Sequence, residues 1–439
     1  MKAYGGKDYD IEAVSKREEF QTVGDAHPDV PLNFILKADC LRRGVSFAKD
    51  AIERLQDPIT FDLSIGIEFQ WHQMDRVMTY QMPHHFHFAD CTAVGIRLSP
   101  PENDPYLIDL IDGKFYLCWS QDDPITELFF DGPAVHTGKI LTNGMPAELV
   151  AHDAGDAFYF VPWHHCVYWN TDEQCRFCDL DYYAKHQMKM GRGFKTRQSA
   201  EDIYEATCEV LKDRGRWCHC FINGGSDFRE SYERDYEFNI ELVSSINQAA
   251  KDTLGADRFP IYVVMAVGDR EQLQKLYDAG ACALGSYIET WDPGQFKLVC
   301  PGKSNHLGRD RIIQRTIEAT DVFGKGNVAA GFVPGVEMAP PPYGFEDIED
   351  ALASTLEGYA FLIDNHIVPL GTNWAIEPGT FFYKMGAKQP PLEFFIRLDK
   401  GRFQLLKAYA DNNGHGISAD YLGYECQQWS SYGDYQRLL

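Results

Sequence analysis

The sequence predicts an α/β protein: a partial (βα)6 TIM-type barrel over 157–380, an α+β, β-rich module over 1–156, and a short C-terminal extension over 381–439. Three observations carry this. Six short apolar runs, near 157, 217, 260, 282, 327 and 367, alternate with stretches of helical spacing. Strands of roughly five to eight residues alternating with helices of about ten to twenty are the pattern of repeated βα units around a parallel sheet. Before Ala157 that alternation is absent, and short β-like runs are broken by Gly, Pro and Asn instead.

Taken in order, the module opens with mixed helical segments, of which 39-DCLRRGVSFAKDAIERL is one. Two β-like runs follow, 114-KFYLCW and 126-TELFFDG, in what reads as a meander. The barrel begins with the apolar run 157-AFYFVP. A helix from Ser199 to about Arg214 comes next, with Ser199 as N-cap and Glu201 and Asp202 in its first turn. The run 217-WCHCFIN ends in Gly-Gly, and 232-YERDYEFNIELVSSINQAAK has helical spacing. The continuous apolar run 260-PIYVVMAV is of buried-strand type. Helix 269-DREQLQKLYDAG then leads to strand 282-CALGSYIE. A helix within 308-GRDRIIQRTIEATDVFG leads to 327-NVAAGFVPG, and helix 346-EDIEDALASTLEGYAFLIDN to 367-IVPLGTNWAI. One helix, near Phe403 to Tyr409, is expected in the extension. Six units fall short of a closed eight-fold barrel and suit an open one, whose side the module or the tail should cover. In such folds the chemistry sits at the carboxyl ends of the strands.

The chain has 439 residues and a formal net charge of −24, which argues against nucleic acid or an anionic membrane as partner. No stretch approaches the roughly 20 apolar residues of a membrane span. The N-terminal MKAYGGKDYD is polar, without an apolar signal core, so a cytoplasmic location is expected. Twelve cysteines in such a chain point to metal ligands, redox thiols or small buried hydrophobes more than to a disulfide framework.

Three of them crowd into 166-CVYWNTDEQCRFCDLDYY: Cys166, Cys175 and Cys178. Three thiolates on a cubic [4Fe–4S] cluster leave one iron open to a ligand. Three thiolates do not close a tetrahedral zinc site without a fourth ligand, which His164 or His165 would have to supply. Iron–sulfur, zinc and unrelated thiols all stay open on the motif alone. Elsewhere, 84-HHFH stands near Cys91 and His72. His84 and His85 point to opposite sides of a strand, whereas His85 and His87 could hold one ion together. Cys218 and Cys220 share one face of the second barrel strand. Facing inward they would stand near the cysteine loop as candidate catalytic or substrate-binding thiols; facing the helices they are core filler.

The cysteine loop, followed in barrel order by 223-NGGSD, by Glu289 with Arg309, and by Gly335 with Glu337, resembles the radical SAM (S-adenosylmethionine) superfamily over roughly residues 157–380. The branch it is similar to contains biotin synthase and the hydrogenase maturases, and the loop has a longer first interval, Cys-x8-Cys-x2-Cys. The resemblance implies a [4Fe–4S] cluster on Cys166, Cys175 and Cys178, with Phe177 inside the final pair fitting the pattern. It implies that the turn Asn223, Gly224, Gly225 and Ser226 receives the amino group of SAM. Glu289 would face the ribose or amino group, Arg309 (with Arg311 as substitute) the carboxylate, and Gly335 and Glu337 the adenine. The implied activity is reductive cleavage of SAM by an external donor of flavodoxin or ferredoxin type, giving a 5′-deoxyadenosyl radical that acts on a small molecule. Transfer of the 3-amino-3-carboxypropyl group to a small, thiophilic acceptor such as an arsenic compound is the alternative chemistry. A zinc-stapled binding protein without turnover is the alternative of another class, and the lack of a fourth cysteine near the loop stands against it. A cluster-carrying scaffold that hands on electrons or metal is a third.

Overall fold

The computed structural model describes residues 15–61, 65–69, 78–99, 103–169, 171–189, 191, 193–226, 232–377, 379–418 and 427–438. The N-terminal part runs α1 (Lys16–Ala26), α2 (Leu32–Arg43), β1 (Val45–Phe47), α3 (Lys49–Arg54), β2 (Ile65–Phe69) and β3 (Met78–Met82). It continues with β4 (His85–His87), β5 (Ala93–Gly95), β6 (Tyr106–Ile111), β7 (Lys114–Ser120) and β8 (Asp123–Leu128). After β9 (Ala151–Asp153), the six expected barrel strands form: β10 (Ala157–Phe160), β11 (His219–Ile222), β12 (Ile261–Val264), β13 (Ala283–Glu289), β14 (Val328–Phe332) and β15 (Val368–Gly371). Their order in the sheet is their order in the chain, and all six are parallel. β9 adds an antiparallel strand to β10 at one edge, so the sheet is the open, partial barrel the sequence predicts.

Helices α4 (Leu180–Lys189), α5 (Ala200–Val210), α6 (Tyr232–Leu254), α7 (Arg270–Asp278), α8 (Pro293–Val299), α9 (Pro301–His306), α10 (Arg309–Phe323) and α11 (Ile348–Asp364) fill the connections. Their starts are chemically marked. Ser199 and Asp202 form a capping box on α5, and Asp269 and Gln272 do the same on α7. Alternate strand residues then sort onto two faces, as a period of two requires. Phe221, Tyr262, Ala283 and Val368 face the barrel interior. Cys220, Ile222, Ile261, Val263 and Leu284 face the helices.

The N-terminal sheet has the order β1-β6-β7-β8, with β1 parallel to β6 and the rest an antiparallel meander. Here the structure corrects one expectation. Residues 39–55 are not one helical segment: α2 stops at Gly44, whose φ is 77°, and β1 intervenes before α3. The strand wins because Val45 pairs with Tyr106 and donates to the Arg97 carbonyl at 2.7 Å, contacts no local pattern announces. α2 itself is buried from Phe34 to Arg42. Phe34, Ile35 and Ala38 pack into the barrel's core, while Leu36, Cys40 and Leu41 pack into the module's own.

In the extension, α12 (Phe381–Lys384) and α13 (Leu392–Asn413) form, the second much longer than the expected 403–409 because Leu392, Phe394, Phe395 and Ile396 are all buried. The last described segment covers the β15 edge. Gly371 N–H donates to the Tyr432 hydroxyl at 2.6 Å, and Asn373 N–H to the Trp429 carbonyl at 3.1 Å. Among the described residues no helix is long and apolar enough to cross a membrane.

Candidate active site

The carboxyl ends of the barrel strands surround a cavity of ≈ 390 Å³. Cys166, Cys175, Phe177, Cys178, the turn Asn223–Ser226 and Glu289 all line it. Three segments far apart in sequence therefore meet at one place.

The Gly-Gly turn is built against the cysteine loop. Asn223 N–H donates to the Phe160 carbonyl, Gly225 N–H to that of Trp163, and Val167 N–H to that of Ser226, each at 3.0 Å. A Cβ on Gly225 would stand 1.4 Å from the His165 carbonyl oxygen. The glycine at 225 is therefore demanded by the chain's own backbone, a reason beyond room for a ligand. The same packing brings the N–H groups of Ser226 and Tyr168 to the Cys166 sulfur. Burial pushes that thiol up, and the two N–H groups partly offset it.

The long interval between Cys166 and Cys175 is pinned to the segment joining α8 and α9. Arg176 N–H donates to the Val299 carbonyl at 2.9 Å, and Gly302 N–H to the Glu173 carbonyl at 3.0 Å. The Glu173 carboxylate accepts from Asn305 at 3.0 Å and pairs with His306 at 2.9 Å. This docking overturns one expectation: a fourth cysteine does stand beside the loop. The fully buried Cys300 thiol hydrogen-bonds to the Cys175 sulfur, holding the Cys175 thiol below its ordinary range. Cys300 sits behind Cys175 and is not part of the cavity lining.

Cys166, Cys175 and Cys178 all line this one cavity, and three thiolates presented together are a donor set that a cubic iron–sulfur cluster can take.

Glu289 ends β13 with φ 65°, at a register shift against β14, and this turns its buried side chain into the cavity. Its partner is Lys303, which also lines the cavity and lies 4.4 Å from the centroid of Tyr287. Burial opposes the Lys303 charge, but the Glu289 carboxylate outweighs it and holds the ammonium well above its usual range. Sequence reasoning passed over Lys303; its signal was a lysine in the first turn of a short Pro-Gly-led helix.

Other expected residues stand elsewhere. Arg309 stacks on Trp291 at 4.4 Å and pairs with Asp310, outside the lining, and Arg311 is exposed on α10. Glu337 is fully buried, accepting from Gly335 N–H at 2.6 Å and from Thr355 Oγ1 at 2.8 Å. Burial raises its carboxyl to about 7, and together Gly335 and Glu337 shape a buried turn beside the cavity, not its wall. Cys220 faces the helices, and Cys218 is exposed at the amino end of β11, its N–H on the Asp156 carbonyl at 2.7 Å. Neither lines the cavity, so the core-filler reading fits Cys220 and the inward reading fits neither. His164 is buried against Phe194 and Tyr183, and burial lowers it to about 3. His84 is buried beside His152 and Tyr159, away from His85 and His87. His72 lies outside the described residues.

No protein-family model matches the chain. No curated protein matches it. Among solved structures, it is similar to methylornithine synthase, 21% identical with a TM-score of 0.37, over 59% of this chain and 69% of that one. It is similar to HydG, a maturase of the [FeFe]-hydrogenase, 15% identical with a TM-score of 0.37, over 60% of this chain and 51% of that one. A radical SAM methyltransferase from Sphaerobacter thermophilus is 14% identical with a TM-score of 0.39, over 59% of this chain and 66% of that one. Of these three, the methyltransferase is the one described as a radical SAM enzyme.

Proposed function

We propose that the chain is a radical SAM enzyme that holds a [4Fe–4S] cluster on Cys166, Cys175 and Cys178 and SAM in the cavity beside them. One observation carries the reading: the cysteine loop, the turn 223–226 and Glu289 line a single cavity at the carboxyl ends of parallel strands. Its ≈ 390 Å³ lies within the roughly 300–1,000 Å³ of small-molecule sites. Bound there, the cluster would supply an electron to the sulfonium of SAM and so break a carbon–sulfur bond.

The chain's own part is to bind, orient and keep water out. Glu289 and Lys303 offer one carboxylate and one ammonium side by side, a match for the ammonium and carboxylate of an amino-acid moiety. The cation in this pairing is Lys303, which takes the place expected of Arg309. Tyr262, Tyr287 and Tyr432 wall the cavity with aromatic surface. The substrate is a small molecule, the electron comes from a flavodoxin- or ferredoxin-type donor, and the radical made is 5′-deoxyadenosyl. Transfer of an aminocarboxypropyl group to a thiophilic acceptor loses its support, because Cys218 and Cys220 lie away from the cavity. The free cysteines suit the reducing cytoplasm.

The test is anaerobic reconstitution with iron and sulfide, followed by dithionite and SAM. The expected outcome is a brown protein that releases 5′-deoxyadenosine and, as the Cys175→Ala variant, loses its colour. Methylthioadenosine as product would keep the cluster and replace the radical by aminocarboxypropyl transfer. A colourless, zinc-containing protein that leaves SAM intact overturns the whole reading.

A further inference from the structure

His85 and His87 lie two residues apart on β4, so their rings leave the same face, opposite the buried Phe86. Their third companion comes from past the end of β8. His87 N–H donates to the Phe129 carbonyl at 2.8 Å, and Phe129 N–H returns to the His87 carbonyl at 2.9 Å. That ladder fixes Asp131, two residues on, in front of both rings. Its Oδ2 lies 2.9 Å from His85 Nε2 and 3.2 Å from His87 Nε2, with the ring centroids 4.8 Å apart.

The two His–Asp separations are those of ligands around one ion, and all three donor atoms lie within 4.8 Å of one another. Metal–ligand bonds of about 2.0–2.1 Å, at angles of about 90–110°, place neighbouring donor atoms about 2.8–3.4 Å apart. Two imidazoles and one carboxylate are a donor set for divalent first-row transition ions, and with only three protein ligands such a site keeps positions open. Two of the three donors, His87 and Asp131, also line a cleft of ≈ 650 Å³, together with Cys91, Asp156 and Arg216, so the set borders space a ligand can enter. The cleft lies by Ala154–Asp156, where the chain enters β10, at the amino end of a strand whose carboxyl end leads to the cysteine loop.

We propose that His85, His87 and Asp131 form a second metal site, which binds a divalent first-row transition ion with coordination positions open to this cleft. The site uses no residue of the cysteine cavity, and it stands whatever that cavity holds.

Cobalt(II) is the probe. Protein reconstituted with iron and sulfide and cleared of loose metal by a chelator is titrated with Co²⁺, then with Zn²⁺ as competitor. One equivalent of Co²⁺ should bind with visible d–d bands and without the intense sulfur-to-cobalt charge transfer of a thiolate site. His87→Ala and the isosteric Asp131→Asn should each weaken Co²⁺ binding at least about 100-fold, with iron content and circular dichroism unchanged. The triple variant with alanine at Cys166, Cys175 and Cys178 should titrate as the parent does, whether or not a cluster ever assembles there. Absence of Co²⁺ binding, binding with thiolate bands, or unchanged affinity in both ligand variants overturns the proposal.

Discussion

In the barrel each strand pairs with its predecessor in the chain, whereas in the N-terminal module β1 pairs with β6, across α3 and four strands. The same residue types are at work in both. In the barrel, a helix and the strands beside it are decided by pattern within some thirty residues. In the module, whether Val45–Phe47 is helix or strand is decided by residues near Arg97 and Tyr106. Local pattern suffices where topology repeats; where it does not, distant backbone partners override propensity.

The comparison can be pressed with single substitutions, and the largest effect belongs to the barrel. Gly225→Ala puts a methyl group into the His165 carbonyl. It should lower the unfolding free energy by more than about 4 kcal/mol and prevent cluster assembly, read by denaturant midpoint and iron content. A variant that kept both would show that the turn and the cysteine loop are not built on each other. Lys303→Met comes next. It leaves the buried Glu289 without its cation, at a cost of about 3 kcal/mol, and should weaken SAM binding. Adding Glu289→Gln should restore most of the stability and none of the binding; restored binding would remove the pair from the site. Gly44→Ala is the smallest and belongs to the module. Its φ of 77° and the Arg97 carbonyl 2.8 Å from the new Cβ predict a loss of about 2 kcal/mol. The iron–sulfur colour should stay unchanged, and loss of colour would tie the module's turn to the cluster.

What the sequence made legible follows the same division. Ser199 with Asp202, and Asp269 with Gln272, announce helix starts because a cap is local chemistry. The cysteine loop, the Gly-Gly turn and Glu289 were legible as a set because each follows its own strand, and a barrel brings successive strand ends together. Lys303 was not, since its meaning depends on α9 folding back toward Glu289. Arg309 and Glu337 show the converse. Spacing put them in register with a pattern, yet Trp291 takes up one and Gly335 with Thr355 the other. Asp131 could not be assigned from sequence either. It joins His85 and His87 only through a backbone ladder 44 residues away from His87.

α2 has a consequence for how the molecule can be taken apart. One helix supplies Phe34, Ile35 and Ala38 to one core and Leu36, Cys40 and Leu41 to the other. Its polar members are committed as well: Lys37 donates to Asp434 at 2.5 Å, and Asp39 accepts from the Tyr106 hydroxyl at 2.7 Å. Melting either core strips α2 of half its neighbours and exposes charges that only the other half can satisfy. The two regions therefore share one cooperative transition, and a cut at residue 156 would yield not two smaller proteins but two incomplete ones.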